Sequence, residues 1–203
     1  MSKIPIELKN PVDNFGIWMS SHVFPLFKYL NFTPNTLTSV SFILGLFAIY
    51  SYQRNDYIKS AIYFMMSYIF DVFDGHYARK YNMVSNFGDM YDHLTDYMIY
   101  FPMAWMIYKK YSKLKDWRRY LPYGYVILTI LSFFQMGCQE VYYDKNRNDG
   151  HKFLHITRQL CPKNTKEEIA NVLKIFRFVG SGTTYLYMCM LILYSGRIDT
   201  SHA

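Results

Sequence analysis

Apolar runs separated by short polar intervals organise this chain. Five windows, at 34–52, 57–79, 88–108, 120–143 and 175–194, are apolar over about the 20 helical residues needed to cross a hydrocarbon layer of roughly 30 Å. Few carry a polar face, which the outer helices of a soluble bundle would need. The pattern predicts an all-α fold, a polytopic integral membrane helix bundle of five to six transmembrane helices. Ahead of the first span, PVDNFGIWMSSHVFPLFKYL has shorter apolar runs broken by Pro25, with Trp18, Phe24, Phe27 and Tyr29 set among polar residues. It reads as an N-terminal interfacial helix within a region 1–32, followed by a membrane domain over 33–203 in which 144–174 is a polar extramembrane segment. Thr165 and Glu168 have capping-box spacing, so a helix is expected to start there and continue without interruption into the last span.

Composition changes this picture little. The mean hydropathy of −0.07 is low for a membrane protein, but 21 tyrosines depress it while acting as amphipathic packing and interface residues. The formal charge of +7 suits anionic headgroups or a phosphate-bearing substrate, and no motif points to nucleic acid. The amino terminus, MSKIPIELKN, lacks the apolar core of a cleavable signal, so insertion is expected to begin with the first span. With a cytosolic amino terminus, alternation of five spans puts the larger share of Lys and Arg on the cytosolic side. Cys138, Cys161 and Cys189 are odd in number and two lie inside spans, where thiols act as small hydrophobes; no structural disulfide is expected.

The chemistry concentrates in DVFDGHYARKYNMVSNFGDMYDHLTD, residues 71–96. Helical spacing puts Asp71 and Asp74 on one stripe with Gly75 and Ala78, and Gly88, Asp92 and Asp96 on another. Each helix thus presents two carboxylates beside residues with almost no side chain, where a ligand can approach the backbone. Carboxylates in or near hydrocarbon cost several kcal/mol unless paired. Divalent cations answer that cost: Mg²⁺ or Mn²⁺ takes oxygen ligands and keeps positions for substrate phosphates, and two ions would clamp both oxygens of a phosphoryl transfer. Pairing the acids with Arg79 and Lys80 is the structural alternative, but two cations cannot neutralise four acids and the pairing leaves the glycines unexplained.

The string Asp71-x2-Asp74-Gly75-x2-Ala78-Arg79-x8-Gly88-x3-Asp92-x3-Asp96 resembles, at every position, the signature of the CDP-alcohol phosphatidyltransferase family, and TPNTLT at 33–38 is similar to that family too. The resemblance covers roughly residues 10 to 143. It implies a membrane-embedded enzyme that uses a CDP-activated lipid donor and a small hydroxyl acceptor and releases CMP. It further implies that Asp71, Asp74, Asp92 and Asp96 hold a pair of Mg²⁺ or Mn²⁺ ions and that Asp96 also takes the acceptor proton. Gly75 and Ala78 would make room for the nucleotide, Arg79 would hold its phosphates, and Gly88 would let the helices approach at the nucleotide site. The family has six spans where five are legible here, which leaves the acceptor open. DGH and the LTD ending resemble phosphatidylinositol synthases, Asp92-His93 resembles the choline and ethanolamine phosphotransferases, and the small size favours the CDP-diacylglycerol branch with an inositol or glycerol phosphate class acceptor. The expected location is a membrane with the site facing the cytosol, the endoplasmic reticulum in a eukaryote or the plasma membrane in a bacterium.

Other features carry weaker expectations. Lys152, Arg158, Lys174 and Arg177 could receive an acidic acceptor, against ordinary headgroup contact. His76 and His93 flank the acids but lie off their stripes. His151, His155 and Cys161 lack a fourth zinc ligand. Gly180–Gly182 reads as small-residue helix packing or a homodimer seam. A cation pathway would need polar residues along its length, and the span turns apolar after Asp96. No signature residue is missing, as it would be in a pseudoenzyme.

Overall fold

In the computed structural model, which describes residues 4–143, 157, 159–161 and 165–200, every regular element among these residues is helical. The α-helices are α1 (Pro11–Tyr29), α2 (Pro34–Gln53), α3 (Tyr57–Lys80), α4 (Asn86–Tyr111), α5 (Leu121–Tyr143), α6 (Lys166–Phe176) and α7 (Ser181–Thr200). Their starts follow the capping chemistry in the sequence. The Thr33, Asp56 and Ser85 side chains accept from the backbone N–H of Thr36, Lys59 and Gly88, and Thr165 with Glu168 forms a full capping box. The ends of α1, α2 and α3 share one device. Asn31, Asn55 and Asn82 adopt left-handed φ of 56°, 59° and 56°, and the next N–H returns to a carbonyl five residues back, as in Phe32 to Phe27 at 2.9 Å. Asparagine takes that conformation at lower cost than most residues, so each helix stops where its Asn stands.

The stretches 34–53, 117–143 and 166–198 are long and apolar enough to cross a membrane. Helices α3 and α4, at 24 and 26 residues, are also long enough to cross, roughly 36–39 Å, but carry the acids. The chain is an all-helical membrane bundle. Helix α1 runs through Pro25 without ending there: the ring removes one N–H donor while the Phe24 side chain packs, fully buried, with Phe73 and Tyr77 of α3. Its other face exposes Phe15, Trp18, Leu26 and Tyr29, the two-faced pattern of an interfacial helix.

The chain divides into two compact units, 16–125 with 185–203 and 1–15 with 126–184. In the first, small residues and hydroxyls make the helix seams, as expected where lipid supplies no hydrophobic drive between helices. Ser41 and Ser67 each donate to the other's backbone carbonyl at 2.8 Å, and Ser60 donates to the Ala48 carbonyl. A Cβ on Gly45 would lie 2.6 Å from Ile99, so α2 and α4 meet there only because the side chain is absent. Outward-facing Ile43, Phe47, Leu94, Met98, Phe101 and Trp105 are exposed large apolar groups, the surface a bilayer covers.

The second unit corrects two expectations. Cys138 and Cys161 form a disulfide within a core of Ile4, Leu8, Ile169 and Leu173, leaving Cys189 as the buried free thiol. Cys138 lies close to the end of α5, and the chain before α6 returns Cys161 to it; an odd count and a span position said nothing of that proximity. The expected continuous helix from Thr165 is also interrupted, since Gly180 is extended between a 3-10 turn (Arg177–Val179) and α7. A Cβ on Gly180 would stand 2.8 Å from Gln135 Oε1 and 3.2 Å from Asn10 Cβ. Asn10, fully buried, donates to the Arg177 carbonyl at 2.7 Å and to Thr183 Oγ1 at 2.8 Å, taking up polar groups at the interruption.

Candidate active site

Facing stripes of α3 and α4 build the acid cluster. Carboxylate oxygens of Asp71, Asp74 and Asp92 lie within 4.8 Å of one another. Asp74 is only 4% exposed and is held by Thr38 Oγ1 of α2, which donates to its Oδ2 at 2.6 Å. Asp92 Oδ1 is enclosed and has no hydrogen-bond partner among the described residues. Three ionised carboxylates at this separation repel strongly, and a buried carboxylate oxygen without a donor is costly, so the set has the composition and the unmet need of a divalent-cation site. Asp96, one turn along α4, is an electrostatic neighbour of Asp71 and Asp92 but does not belong to the convergent set.

The rim differs on the two helices. The three atoms nearest to a Cβ built on Gly75 all belong to the Arg79 guanidinium, at 3.3–3.7 Å. The Gly75 face is therefore limited first by the end of the Arg79 side chain. At Gly88, a Cβ would stand 3.1 Å from Asn35 Oδ1 and 3.0 Å from Ser85 Oγ, bringing the first turn of α4 against the start of α2. Ala78 is half-buried. Lys80, considered above as a counter-ion for the acids, instead lies over the Phe24 and Tyr81 rings. The ring of His76 turns to α1, where its Nδ1 is 2.7 Å from Ser20 Oγ, and His93 is 3.9 Å from Asp89.

This arrangement gives Gly75 a sharp test. Gly75→Leu is expected to leave the protein folded in detergent, because the nearest neighbour on that face is the end of a long side chain, and to abolish CMP binding in a calorimetric titration. Retained CMP affinity in the folded variant would show that the Gly75 face does not receive the nucleotide.

The sequence profile of the CDP-alcohol phosphatidyltransferases matches residues 31–161, a stretch that contains Thr38 and all four acids. The chain belongs to this family. Archaetidylinositol phosphate synthase of Pyrococcus horikoshii is 32% identical over 96 residues, covering 47% of each chain. The CDP-diacylglycerol–glycerol-3-phosphate 3-phosphatidyltransferase of Rickettsia typhi is 34% identical over 80 residues, 38% of this chain and 45% of that one. The enzyme of the same name from Rickettsia bellii is 42% identical over 50 residues, 25% and 28% of the two chains. Each match therefore spans less than half of the relative's own length. No solved structure matches the chain.

The acceptor-side candidates of this CDP-alcohol phosphatidyltransferase family member are placed less completely. Lys152 and Arg158 lie outside the described residues. Lys174 is exposed on α6; Arg177 begins the 3-10 turn, donates to the Glu7 carbonyl and stacks its guanidinium 4.9 Å from the Phe178 ring centroid. Thr38 is a site residue outside the signature string. Its signal was available: TPNTLT opens α2 with its cap at Thr33, and Thr38 stands on the following turn, where a hydroxyl in a span needs an acceptor.

Proposed function

We propose that this chain is a phospholipid-synthesising transferase that moves a phosphatidyl group from CDP-diacylglycerol to a small hydroxyl acceptor, with release of CMP. The observation that carries this reading is the convergence of Asp71, Asp74 and Asp92 beside the Gly75 face that the Arg79 guanidinium lines. These three would hold the metal, with Asp96 an electrostatic neighbour of the set and not one of its ligands. Bound Mg²⁺ or Mn²⁺ supplies charge neutralisation for the phosphates of the donor. Thr38 orients Asp74 by its hydrogen bond, as outer-shell partners of a metal site do. Arg79, folded across Gly75, meets the nucleotide phosphates as the cytidine enters. Asp96 takes the proton of the acceptor hydroxyl; its place outside the convergent set leaves its carboxylate available for that role. The activities for which the relatives are named speak for an acceptor of the inositol phosphate or glycerol phosphate class. The Lys and Arg distribution supports a cytosolic orientation of the acid-bearing helix ends.

The test is CMP release by purified protein in detergent, given CDP-diacylglycerol and a panel of acceptors that includes glycerol 3-phosphate, inositol and inositol phosphate. Activity is expected with one phosphate-bearing or polyol acceptor, to vanish on chelation and to return with Mg²⁺ or Mn²⁺. Full activity after chelation, or no CMP release with any acceptor and either metal, would overturn the reading.

A further inference from the structure

The α4 stripe that carries Gly88, Asp92 and Asp96 continues, four residues on, to Tyr100. Tyr100 packs edge-on against Tyr185 of α7, with ring centroids 4.9 Å apart at 69°, and Tyr185 lies 4.1 Å from the ring of Tyr68 on α3. Tyr68 is in turn one helical turn from Asp71. The three tyrosines therefore join α3, α4 and α7 directly beyond the acids, farther from the turn between α3 and α4. Asp96 and Asp71 are the foremost electrostatic neighbours of the Tyr100 hydroxyl. Neither Tyr100 nor Tyr185 hydrogen-bonds through its hydroxyl among the described residues, although Tyr185 is only 6% exposed. Neither hydroxyl oxygen is enclosed, so each phenol, its ring packed, keeps an O–H that the acceptor of a ligand can reach.

We infer that the Tyr100 and Tyr185 hydroxyls bind the ester oxygens of the lipid donor's glycerol backbone, and so select a diacyl donor over one linked by ethers. This rests on the transferase reading above. With the reacting phosphorus at the acids, the adjoining part of a CDP-activated lipid that points into the bilayer is its three-carbon glycerol unit. Tyr100 stands about 6 Å, one helical turn, beyond Asp96, the depth that unit reaches. Next to carboxylates, a phenol serves as a donor and not as an acceptor. An ester carbonyl is a good acceptor in apolar surroundings, and an alkyl ether is a weak one. The ring contacts with Tyr185 and Phe64 fix the Tyr100 side chain so that its hydroxyl is presented without further loss of freedom.

The experiment compares CMP release from ester-linked CDP-diacylglycerol and from a CDP-activated dialkyl ether analogue of the same chain length, in wild type, Tyr100→Phe and Tyr185→Phe. Wild type should prefer the ester in kcat/KM, and either substitution should reduce that preference by roughly three- to tenfold, mainly through the KM of the ester donor. CMP titration reports that each variant is folded. Equal use of both donors by wild type overturns the inference, and so does a Tyr100→Phe fall in kcat that is the same for both donors, which would mean that the hydroxyl acts through Asp96. A wild type that releases CMP from neither donor would instead refute the transferase reading.

Discussion

Asp96→Asn is expected to lower turnover by roughly 10²–10⁴-fold while leaving metal and CMP affinity close to wild type. The expectation follows from placement. The carboxylates of Asp71, Asp74 and Asp92 converge within 4.8 Å, whereas Asp96 is near enough to influence them but outside that set. An amide at this position keeps an oxygen of similar size in place but cannot accept the proton of an attacking hydroxyl at neutral pH. The loss should therefore be in kcat, with the KM of the donor nearly unchanged. Turnover measured beside a CMP titration decides the matter. Equal losses of CMP affinity and turnover would make Asp96 a metal ligand in the first instance, and the acceptor proton would need another route.

Asp92→Asn should do the reverse in the binding assay. Its Oδ1 is enclosed without a hydrogen-bond partner among the described residues, so that oxygen is the one in the cluster that most needs a cation. A neutral amide is a poorer ligand for a hard ion. Mn²⁺ affinity, followed by electron paramagnetic resonance, is expected to fall by more than the roughly 10–100-fold that loss of an outer-shell partner costs. Thr38→Val, which removes the 2.6 Å bond to Asp74 and the longer one to the Pro34 carbonyl, gives that smaller loss as an internal scale. CMP affinity measured in the presence of metal should fall together with metal affinity in Asp92→Asn. Mn²⁺ binding by Asp92→Asn at wild-type strength would remove Asp92 from the ligand set.

Much of this architecture was legible before any coordinates. Apolar windows of bilayer length located α2 to α5 to within a few residues, because a helix in lipid must be apolar over its length and each was bounded by a side chain able to cap it or a polar turn. The helical period put Asp71 with Asp74 and Asp92 with Asp96. What the reading missed depended on partners distant in the chain. Gly180 interrupts the last long helix because Asn10 and Gln135 crowd it, a contact that no local pattern around residue 180 announces. The Asn residues that stop α1, α2 and α3 do carry a local signal, a single Asn before each new cap.

The division has a physical basis. Helix positions, the face each acid occupies and membership of the CDP-alcohol phosphatidyltransferases follow from periodicity and fixed spacing, which are properties of neighbouring residues. Tertiary packing alone decided that Thr38 holds Asp74 and that Asp71, Asp74 and Asp92 converge. It also decided that Cys138 meets Cys161 and that Tyr100 leans on Tyr185. Each of these depends on how two helices, or a helix and a distant segment, are set against each other by side chains at their contact, and an offset of a single turn would exchange one partner for another.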